Sequence, residues 1–346
     1  MNLSHLDNKT RDIASTIYQY AAIVGLPPFI FGLLINLFLL YIFLFDSFFQ
    51  KTTYKLIRVS VISDIISTIT SIIGYAQIVS HNVNFNEGEA ICRVALYLMM
   101  SSYGISMMNL CLIGFDRYLA VVKPFSSLNR RYKNRILITA EILIWLISLS
   151  ITIPILSLVT VHHNDTMLCD TKQLNLMTKI FLLTLAVILY IIPSLAISFT
   201  YGKIIAFQRS YKRPGEILNY RSEQEGAKKK RFIRMLISIT ASYILLSWPF
   251  FAAIIGIAIT SQSIMMIRRK SIVYFLLLLF SITATTSISI LNPLIYLKFD
   301  VNIRKRSWVM LTKMQIFQCK SSYSISKVES LQSKENLSLC NFIRRN

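Results

Sequence analysis

The chain has 346 residues, of which 54% are hydrophobic and 15% are charged, and its mean hydropathy is +0.55. This composition excludes an ordinary water-soluble domain, in which about a quarter of the residues are charged. The net charge of +21 suits an anionic partner, but Lys and Arg residues facing anionic lipid on one side of a membrane account for it. No nucleic-acid partner is therefore predicted.

Seven apolar segments follow one another along the chain. They lie at 19–45, 56–80, 90–115, 136–161, 176–202, 233–260 and 272–297. Each is near the length of about 20 residues that a membrane-spanning helix needs, and a helix satisfies its own backbone in lipid. The predicted fold class is an all-α membrane protein, a seven-transmembrane helix bundle covering 19–297. The polar residues 1–18 do not resemble a cleavable signal peptide.

Lys and Arg are concentrated on one side of these spans. The segments 46–58, 116–135, 203–234 and 298–346 carry 29 of the 37 basic residues. The positive-inside rule therefore predicts an extracellular N-terminal tail at 1–18 and a cytosolic C-terminus. Glycosylation sequons begin at Asn2, Asn8 and Asn164, all on the predicted outer side, although so short a pattern often matches by chance.

Two of the five cysteines, Cys92 and Cys169, lie at or beyond the predicted outer ends of spans. A disulfide persists in an oxidising extracellular environment, so a Cys92–Cys169 bridge is predicted. Two free outer thiols are the less favoured alternative.

An adjacent Asp116 and Arg117 follow the third apolar segment. The helix from Cys92 to Arg117 would be roughly 37 Å long at 1.5 Å per residue, which places the pair at the cytosolic boundary. Charges at that depth are costly and indicate function. The alternative is an arginine that extends to lipid phosphates.

Several short motifs and single residues lie within or at the ends of these spans. They are "DRY" at 116–118, "NPLIY" at 292–296, Trp145, Pro193, Asn36 and Asp64. Together they resemble the rhodopsin-like (class A) G-protein-coupled receptors over about residues 19–310. The resemblance implies a plasma-membrane receptor that binds an extracellular ligand and activates a heterotrimeric G protein by opening the cytosolic side of the bundle, and not an enzyme.

The resemblance also assigns roles to individual residues. The coupling and activation residues would be Asp116, Arg117, Tyr118, Tyr201, Asn292, Pro293 and Tyr296. Asp64 lies in the middle of a span, so it should face the bundle interior, with Ser106, Ser289 and Asn292 as candidate partners. In the family such a cluster binds a sodium ion. No other metal or cofactor is implied, and the alternative is a protonated Asp64 in a hydrogen-bond network.

The sixth span departs from the family pattern in two respects. Trp248 and Pro249 are adjacent, so Ser247 takes the place of the usual switch tryptophan, and Tyr243 replaces a phenylalanine one turn before it. The cytosolic end, "GAKKKRFIR", is basic where many members carry an acid that pairs with the DRY arginine. Arg117 is therefore expected to have only Asp116 nearby, and signalling without ligand is expected.

The predicted ligand pocket is mainly apolar and aromatic. Its candidates are Tyr75, Gln77, Met99, Met100, Tyr103, Leu185, Phe250, Phe251 and Ile254. The amine-binding aspartate of the family is replaced by Met99, and the retinal-binding lysine by Thr286. A peptide ligand is predicted first and a lipid-like small molecule second. The basic residues 268–270 would meet an acidic ligand group or serve as a membrane anchor.

The C-terminal region resembles receptor tails. Residues 298–312 alternate apolar and basic positions, which predicts a short amphipathic eighth helix on membrane lipid. Cys319 is either palmitoylated or a free thiol. The Ser-rich segment 313–346 is predicted to be a disordered cytosolic tail, which a receptor kinase and an arrestin would recognise. A transporter, the main alternative of another class, would show internal repeats that this chain lacks.

Overall fold

The structure is a computed structural model that describes residues 3–80, 83–123, 132–163, 165–172, 174–210 and 220–312. Side chains are described from residue 15 onward, except for 167 and 220–229. Within these residues seven helical segments are long and apolar enough to cross a membrane. Their bounds are Ser15–Phe45, Thr52–Ser80, Phe85–Val121, Lys133–Leu158, Leu176–Ser210, Lys230–Thr260 and Ile272–Phe299. The predicted seven-helix fold class is confirmed.

The helices and strands follow in a simple order. They are α1 (Leu3–Phe45), a 3₁₀ turn (Ser47–Gln50), α2 (Thr52–Ser80), α3 (Phe85–Val121), α4 (Lys133–Thr152), α5 (Ile155–Leu158), β1 (Val159–His162), β2 (Asp165–Thr171), α6 (Leu176–Ala186), a π-helical turn (Val187–Ile191), α7 (Ile192–Ser210), α8 (Tyr220–Thr260), α9 (Ile264–Lys270), α10 (Ile272–Phe299) and α11 (301–312). The first helix begins at Leu3, well before the predicted span.

The chain divides into two compact units, Met1–Ile295 and Tyr296–Asn346. In the first unit α3 is the central helix, because it packs against α2, α4 and α7 and 72% of its most apolar window is buried. The corresponding share in the fourth span is 17%, so most of that span faces outward. A large exposed apolar surface is expected of helices whose solvent is lipid rather than water.

The fourth span ends earlier than predicted, at Leu158. The sequence suggested 136–161, but α4 ends at Thr152 and the chain enters strand β1 at Val159. Pro154 cannot donate a helical hydrogen bond. Beyond it, Val159 and Val161 are buried while their neighbours are half-buried, which is the alternation of a strand. The segment is apolar as predicted, but its last residues, from Val159 onward, form part of a hairpin and not of a helix.

β1 and β2 form an antiparallel hairpin in which Val159 is opposite Thr171 and His162 is opposite Asp165. The hairpin lies tightly against the start of α3. A Cβ atom at Gly88 would be 2.8 Å from the carbonyl oxygen of Thr166, so only glycine permits this approach. The hairpin is therefore packed directly on the central helix.

The second unit contains the end of α10 and the helix α11. Asp300 accepts hydrogen bonds from the backbone N–H groups of Asn302 and Ile303, at 2.8 and 3.2 Å. This arrangement satisfies the free donors at the start of a helix. Trp308 and Val309 are exposed, in keeping with a short amphipathic helix that has an apolar side for lipid.

Candidate functional site

A cavity of about 260 Å³ lies at the end of the bundle that carries Cys92 and Cys169, hereafter the disulfide end. Of the residues predicted to line a pocket, those that do so are Tyr75, Gln77, Met99, Met100, Leu185, Phe250 and Ile254. Tyr103 and Phe251 do not line it. They are buried and pack against each other, with ring centroids 5.2 Å apart.

The cavity is lined by uncharged side chains. Within the part of the chain that the structure describes, no Asp, Glu, Lys, Arg or His lines it. Several of its polar groups are engaged: the Tyr75 and Thr283 hydroxyls share a hydrogen bond of 2.9 Å, and Gln77 Nε2 donates to the Thr166 carbonyl at 2.9 Å. The buried Thr171 hydroxyl has no hydrogen-bond partner among the described residues. Such a cavity suits an apolar, uncharged group, because a buried charge without a partner is costly.

The hairpin and α9 cover this cavity. Val159, Leu168 and Ile264 belong to its lining. The sequence analysis missed Val159 because it extended the fourth span to 161, and it missed Leu168 and Ile264 because both lie between the predicted spans. The only signal was the alternation of Val159 and Val161. Leu168 also packs with Met265 and Phe275 in one buried cluster, so the cover is an apolar layer joined to α10.

The predicted disulfide between Cys92 and Cys169 is present and joins α3 to β2. The next residue, Asp170, is 3% exposed and holds the start of α9. Its Oδ1 accepts from the Ile264 N–H at 2.9 Å, and its Oδ2 accepts from the Met265 N–H at 3.2 Å. His162 Nε2 lies 3.0 Å from the same carboxylate. One carboxylate thus connects the hairpin to α9.

Arg268 is occupied within the fold. Its guanidinium lies 2.5 Å from Asp165 Oδ2, and the side chain is only 7% exposed. An Arg–carboxylate pair of this kind is strong, so Arg268 is not a free contact for an acidic ligand. Of the three basic residues singled out from the sequence, Arg269 and Lys270 are exposed.

A buried polar group lies in the middle of the bundle. Asn292 Nδ2 donates to both carboxylate oxygens of Asp64, at 3.1 and 2.9 Å, and lies 3.2 Å from the Tyr243 hydroxyl. Asp64 also has a hydrogen-bonding contact with that hydroxyl. The structure thus brings Asp64 and Asn292 together and adds Tyr243, which the sequence analysis did not assign to this group.

These residues fit a sodium ion. Asp64 is 2% exposed, the described residues show no ion pair that includes it, and the buried Oδ1 of Asn292 has no hydrogen-bond partner among them. A hard cation would satisfy both the anion and the orphan oxygen. Ser106 and Ser289 are also buried, but Ser289 Oγ donates to the Thr286 carbonyl at 2.7 Å. An ion would be held by Asp64 and Asn292 first.

The DRY residues lie at the opposite end of the bundle, hereafter the Arg117 end. Arg117 pairs with Asp116 and donates to the Thr53 hydroxyl, and its guanidinium carbon is 5.3 Å from the centre of the Phe232 ring. Asp116 also pairs with Lys133, at 2.6 Å. The expectation that Arg117 would have only Asp116 nearby is wrong: α2 and α8 both supply a partner.

Other predicted residues have simple placements. Tyr201 is buried, and its ring lies beside Gly114, one turn before Arg117 on α3. Tyr118 is half-buried, and Pro293 lies within α10 beside Asn292, while Tyr296 falls in the second unit. The side chains at Asn2, Asn8 and Asn164 and all of 313–346, including Cys319, lie outside the described residues.

Comparison with known proteins agrees with these features. Residues 35–296 match the family described as "7 transmembrane receptor (rhodopsin family)". The chain is 24% identical to the RYamide receptor of Tribolium castaneum over 91% of this chain and 85% of that protein. It is 24% identical to human proteinase-activated receptor 2 over 67% of this chain and 56% of that receptor.

A third relative is the tachykinin-like peptides receptor 99D of Drosophila melanogaster, which is 21% identical over 58% of this chain and 40% of that protein. The family match covers most of the chain and includes the DRY and NPLIY motifs. Family members are receptors and not enzymes, and the seven spans make this chain a multi-pass protein of the plasma membrane. The chain belongs to the rhodopsin family of seven-transmembrane receptors.

Proposed function

We propose that the chain is a receptor for an extracellular peptide and that it activates a heterotrimeric G protein. In this proposal the disulfide end is extracellular and the Arg117 end is cytosolic, as the distribution of basic residues predicts. The observation that carries the proposal is the presence of two separate sites on one central helix. Met99 lines the cavity, and Arg117 lies 18 residues later, about 27 Å along α3.

Binding at one end affects the other if the ligand prefers one of two arrangements of the bundle. In the structure α8 is near α3 at the Arg117 end, since Phe232 lies over Arg117. We propose that ligand binding favours an arrangement in which α8 moves outward and exposes Arg117 to the G protein. Pro249 within α8 and the π-helical turn before Pro193 are the points at which the helices can bend.

Two considerations support a peptide. The RYamide receptor and the tachykinin-like peptides receptor are both named for peptides. The cavity of about 260 Å³ is just below the usual range of small-molecule pockets, about 300–1,000 Å³. It would therefore accommodate one end of a peptide, while the rest of the peptide would lie against the hairpin and α9.

The uncharged lining decides which peptide end fits. A free C-terminal carboxylate would be buried without a cationic partner, whereas an amidated C-terminus carries no charge. The same lining favours a second candidate, a lipid-like small molecule with an apolar body and few polar atoms. We place the amidated peptide first because of the named relatives and the lipid-like molecule second.

The test uses cells that express the chain with a panel of G proteins, and the readout is nucleotide exchange. Matched peptides with amidated and free C-termini are applied beside a panel of neutral lipids. Activation by amidated peptides, with weaker activation by their free-acid forms, is expected. Activation by lipids alone would reverse the order of the two candidates, and no activation by any compound on any G protein would overturn the proposal.

Arg117→Ala should remove exchange while the active compound still binds, because Arg117 lies about 27 Å along α3 from Met99 in the cavity lining. Arg135→Ala is the matched control, since Arg135 is an exposed arginine near the start of α4. Equal exchange by wild type and Arg117→Ala would contradict the assigned role of the DRY arginine.

A further inference from the structure

The sixth span, α8, presents a serine, and not a tryptophan, to the bundle interior beside Pro249. Ser247 is fully buried, whereas Trp248 is 55% exposed on the outer surface of the helix. Most of the Trp248 surface therefore faces away from the core of the bundle. A group other than Trp248 must connect the cavity to the part of α8 between Pro249 and the Arg117 end.

We infer that Tyr103, Ser247 and Tyr243 form this connection and hold α8 in its inward position until the cavity is occupied. They are positioning residues for the receptor function proposed above, and the inference rests on that function. The Tyr103 and Ser247 hydroxyls share a hydrogen bond of 2.8 Å. Ser247 Oγ donates to the Tyr243 carbonyl, so its single proton is used and the Tyr103 hydroxyl is the donor to Ser247.

Aromatic rings connect this hydrogen bond to the cavity. Phe250 lines the cavity and contacts Phe251 edge to face, with centroids 5.4 Å apart. Phe251 in turn lies 5.2 Å from the Tyr103 ring and stacks on Tyr190 at 4.9 Å. A ligand that moves Phe250 therefore changes the packing around Tyr103, because close-packed rings leave no free space between them.

The region around Pro249 is also bound to its neighbours by hydrogen bonds. The Tyr190 hydroxyl donates to the Ile244 carbonyl at 3.1 Å. The Thr285 hydroxyl shares its proton between the Ser281 carbonyl of its own helix at 2.9 Å and the Leu246 carbonyl of α8 at 3.3 Å. Proline removes a backbone hydrogen bond in the preceding turn, so α8 is weakest there. Side chains of the third, fifth and seventh spans thus hold α8 at its weakest point.

On the Arg117 side of Pro249, the connection reaches the buried polar group of Asp64 and Asn292. The Tyr103 and Tyr243 rings are 5.9 Å apart, and the Tyr243 hydroxyl lies 3.2 Å from Asn292 Nδ2. Because Ser247 and Tyr243 lie on the same side of Pro249 as Phe232, outward movement of that part of α8 separates them from Tyr103 and Asn292. The hydrogen bonds therefore belong to the inward arrangement, in which Phe232 lies over Arg117.

The test measures the position of α8 without any ligand or G protein. A fluorine label is attached to Arg231→Cys, an exposed position at the Arg117 end, in a full-length chain that also carries Cys111→Ala, Cys319→Ala and Cys340→Ala. Fluorine NMR of the receptor in lipid nanodiscs then reports the ratio of displaced to inward α8. Thermal unfolding of each variant is measured in parallel.

Tyr103→Phe keeps the ring and removes only the hydroxyl, and it should raise the displaced-to-inward ratio by about two- to tenfold, the effect of one hydrogen bond. Ser247→Ala should act in the same direction. The double variant should change the ratio by less than the product of the two single effects, because both remove the same bond.

Two controls separate this role from general loss of packing. Trp248→Leu should leave the ratio unchanged, although it alters a larger side chain. Ser242→Ala removes a serine of the same helix whose hydroxyl bonds within the helix, to the Ile239 carbonyl, and it should also have no effect. Unchanged ratios in Tyr103→Phe and Ser247→Ala, or an equal shift in Trp248→Leu, would overturn the inference.

This measurement distinguishes the inference from the proposed function. Shifted ratios without nucleotide exchange on any G protein would support the connection and reject G-protein activation. Exchange in cells without a shift in Tyr103→Phe or Ser247→Ala would support the receptor function and reject the connection.

Discussion

The guanidinium carbon of Arg117 lies 5.3 Å from the centre of the Phe232 ring, so the third and sixth spans meet at the Arg117 end through a cation and an aromatic ring. An acid at this end of the sixth span would form an ion pair, but the segment around Phe232 is basic. The ring face attracts the cation without carrying a charge of its own. Phe232 thus supplies a contact between the third and sixth spans at a place where the neighbouring side chains are basic.

Phe232→Ala should increase nucleotide exchange in the absence of ligand. A cation–π contact at a partly exposed site contributes about 0.5–1 kcal/mol, so the ratio of active to resting receptor should rise roughly two- to fivefold. Phe232→Tyr keeps an aromatic face and should remain near wild type. Ligand-free exchange is compared at matched surface expression, and equal exchange by Phe232→Ala and wild type would argue against the contact.

Lys229→Glu should lower ligand-free exchange. The change places a carboxylate three residues before Phe232, and residues three apart on a helix share a face, so the carboxylate can pair with Arg117 and stabilise the inward arrangement of α8, with an energy on the order of 0.5–1 kcal/mol. Lys229→Gln removes the same positive charge without adding a negative one and is the control. If both variants lowered the exchange equally, loss of the lysine would be the cause and not a new ion pair.

Cys92→Ala and Cys169→Ala should each reduce the amount of receptor at the cell surface. The disulfide joins α3 to the hairpin that covers the cavity, and loss of such a bridge typically costs about 2–5 kcal/mol. Cys111→Ala is the control, because Cys111 is a free, half-buried thiol. Surface labelling of intact cells gives the comparison, and normal labelling of both bridge variants would show that the disulfide is dispensable.

Sodium should raise the thermal unfolding temperature of the purified receptor relative to choline at equal ionic strength. Asp64 and Asn292 provide a buried carboxylate and an orphan amide oxygen, and an ion at ten times its dissociation constant stabilises by about 1.4 kcal/mol. Asp64→Asn should abolish the difference between the two salts. A sodium effect that persists in Asp64→Asn would place the ion elsewhere, and its absence in wild type would reject the site.

Asp170→Ala should release the start of α9. The Asp170 carboxylate accepts from the backbone N–H groups of Ile264 and Met265, and loss of such a cap costs about 0.5–2 kcal/mol. Hydrogen exchange at these two amides should therefore be roughly two- to thirtyfold faster. Asp46→Ala, which removes a similar cap before the turn at Ser47–Gln50, should leave both amides unchanged.

The sequence by itself determined the class of fold. Membrane spans are recognised by the length and polarity of one continuous segment, and both are local properties. The same applies to the DRY and NPLIY motifs and to the pair of cysteines at the disulfide end. For this reason the seven spans, the Cys92–Cys169 bridge and the receptor family could be predicted before any residue was placed in space.

The tertiary structure decided which neighbour each side chain meets. Hydropathy could not show that Ser247 faces inward and Trp248 outward. The sixth span is apolar on every face, so its pattern does not indicate which face packs against the bundle. Hydropathy also could not show that the run after Pro154 becomes a hairpin, that Arg268 pairs with Asp165, or that Phe232 lies over Arg117. These pairings join residues from different helices, and only the packing of the whole bundle brings them within contact distance.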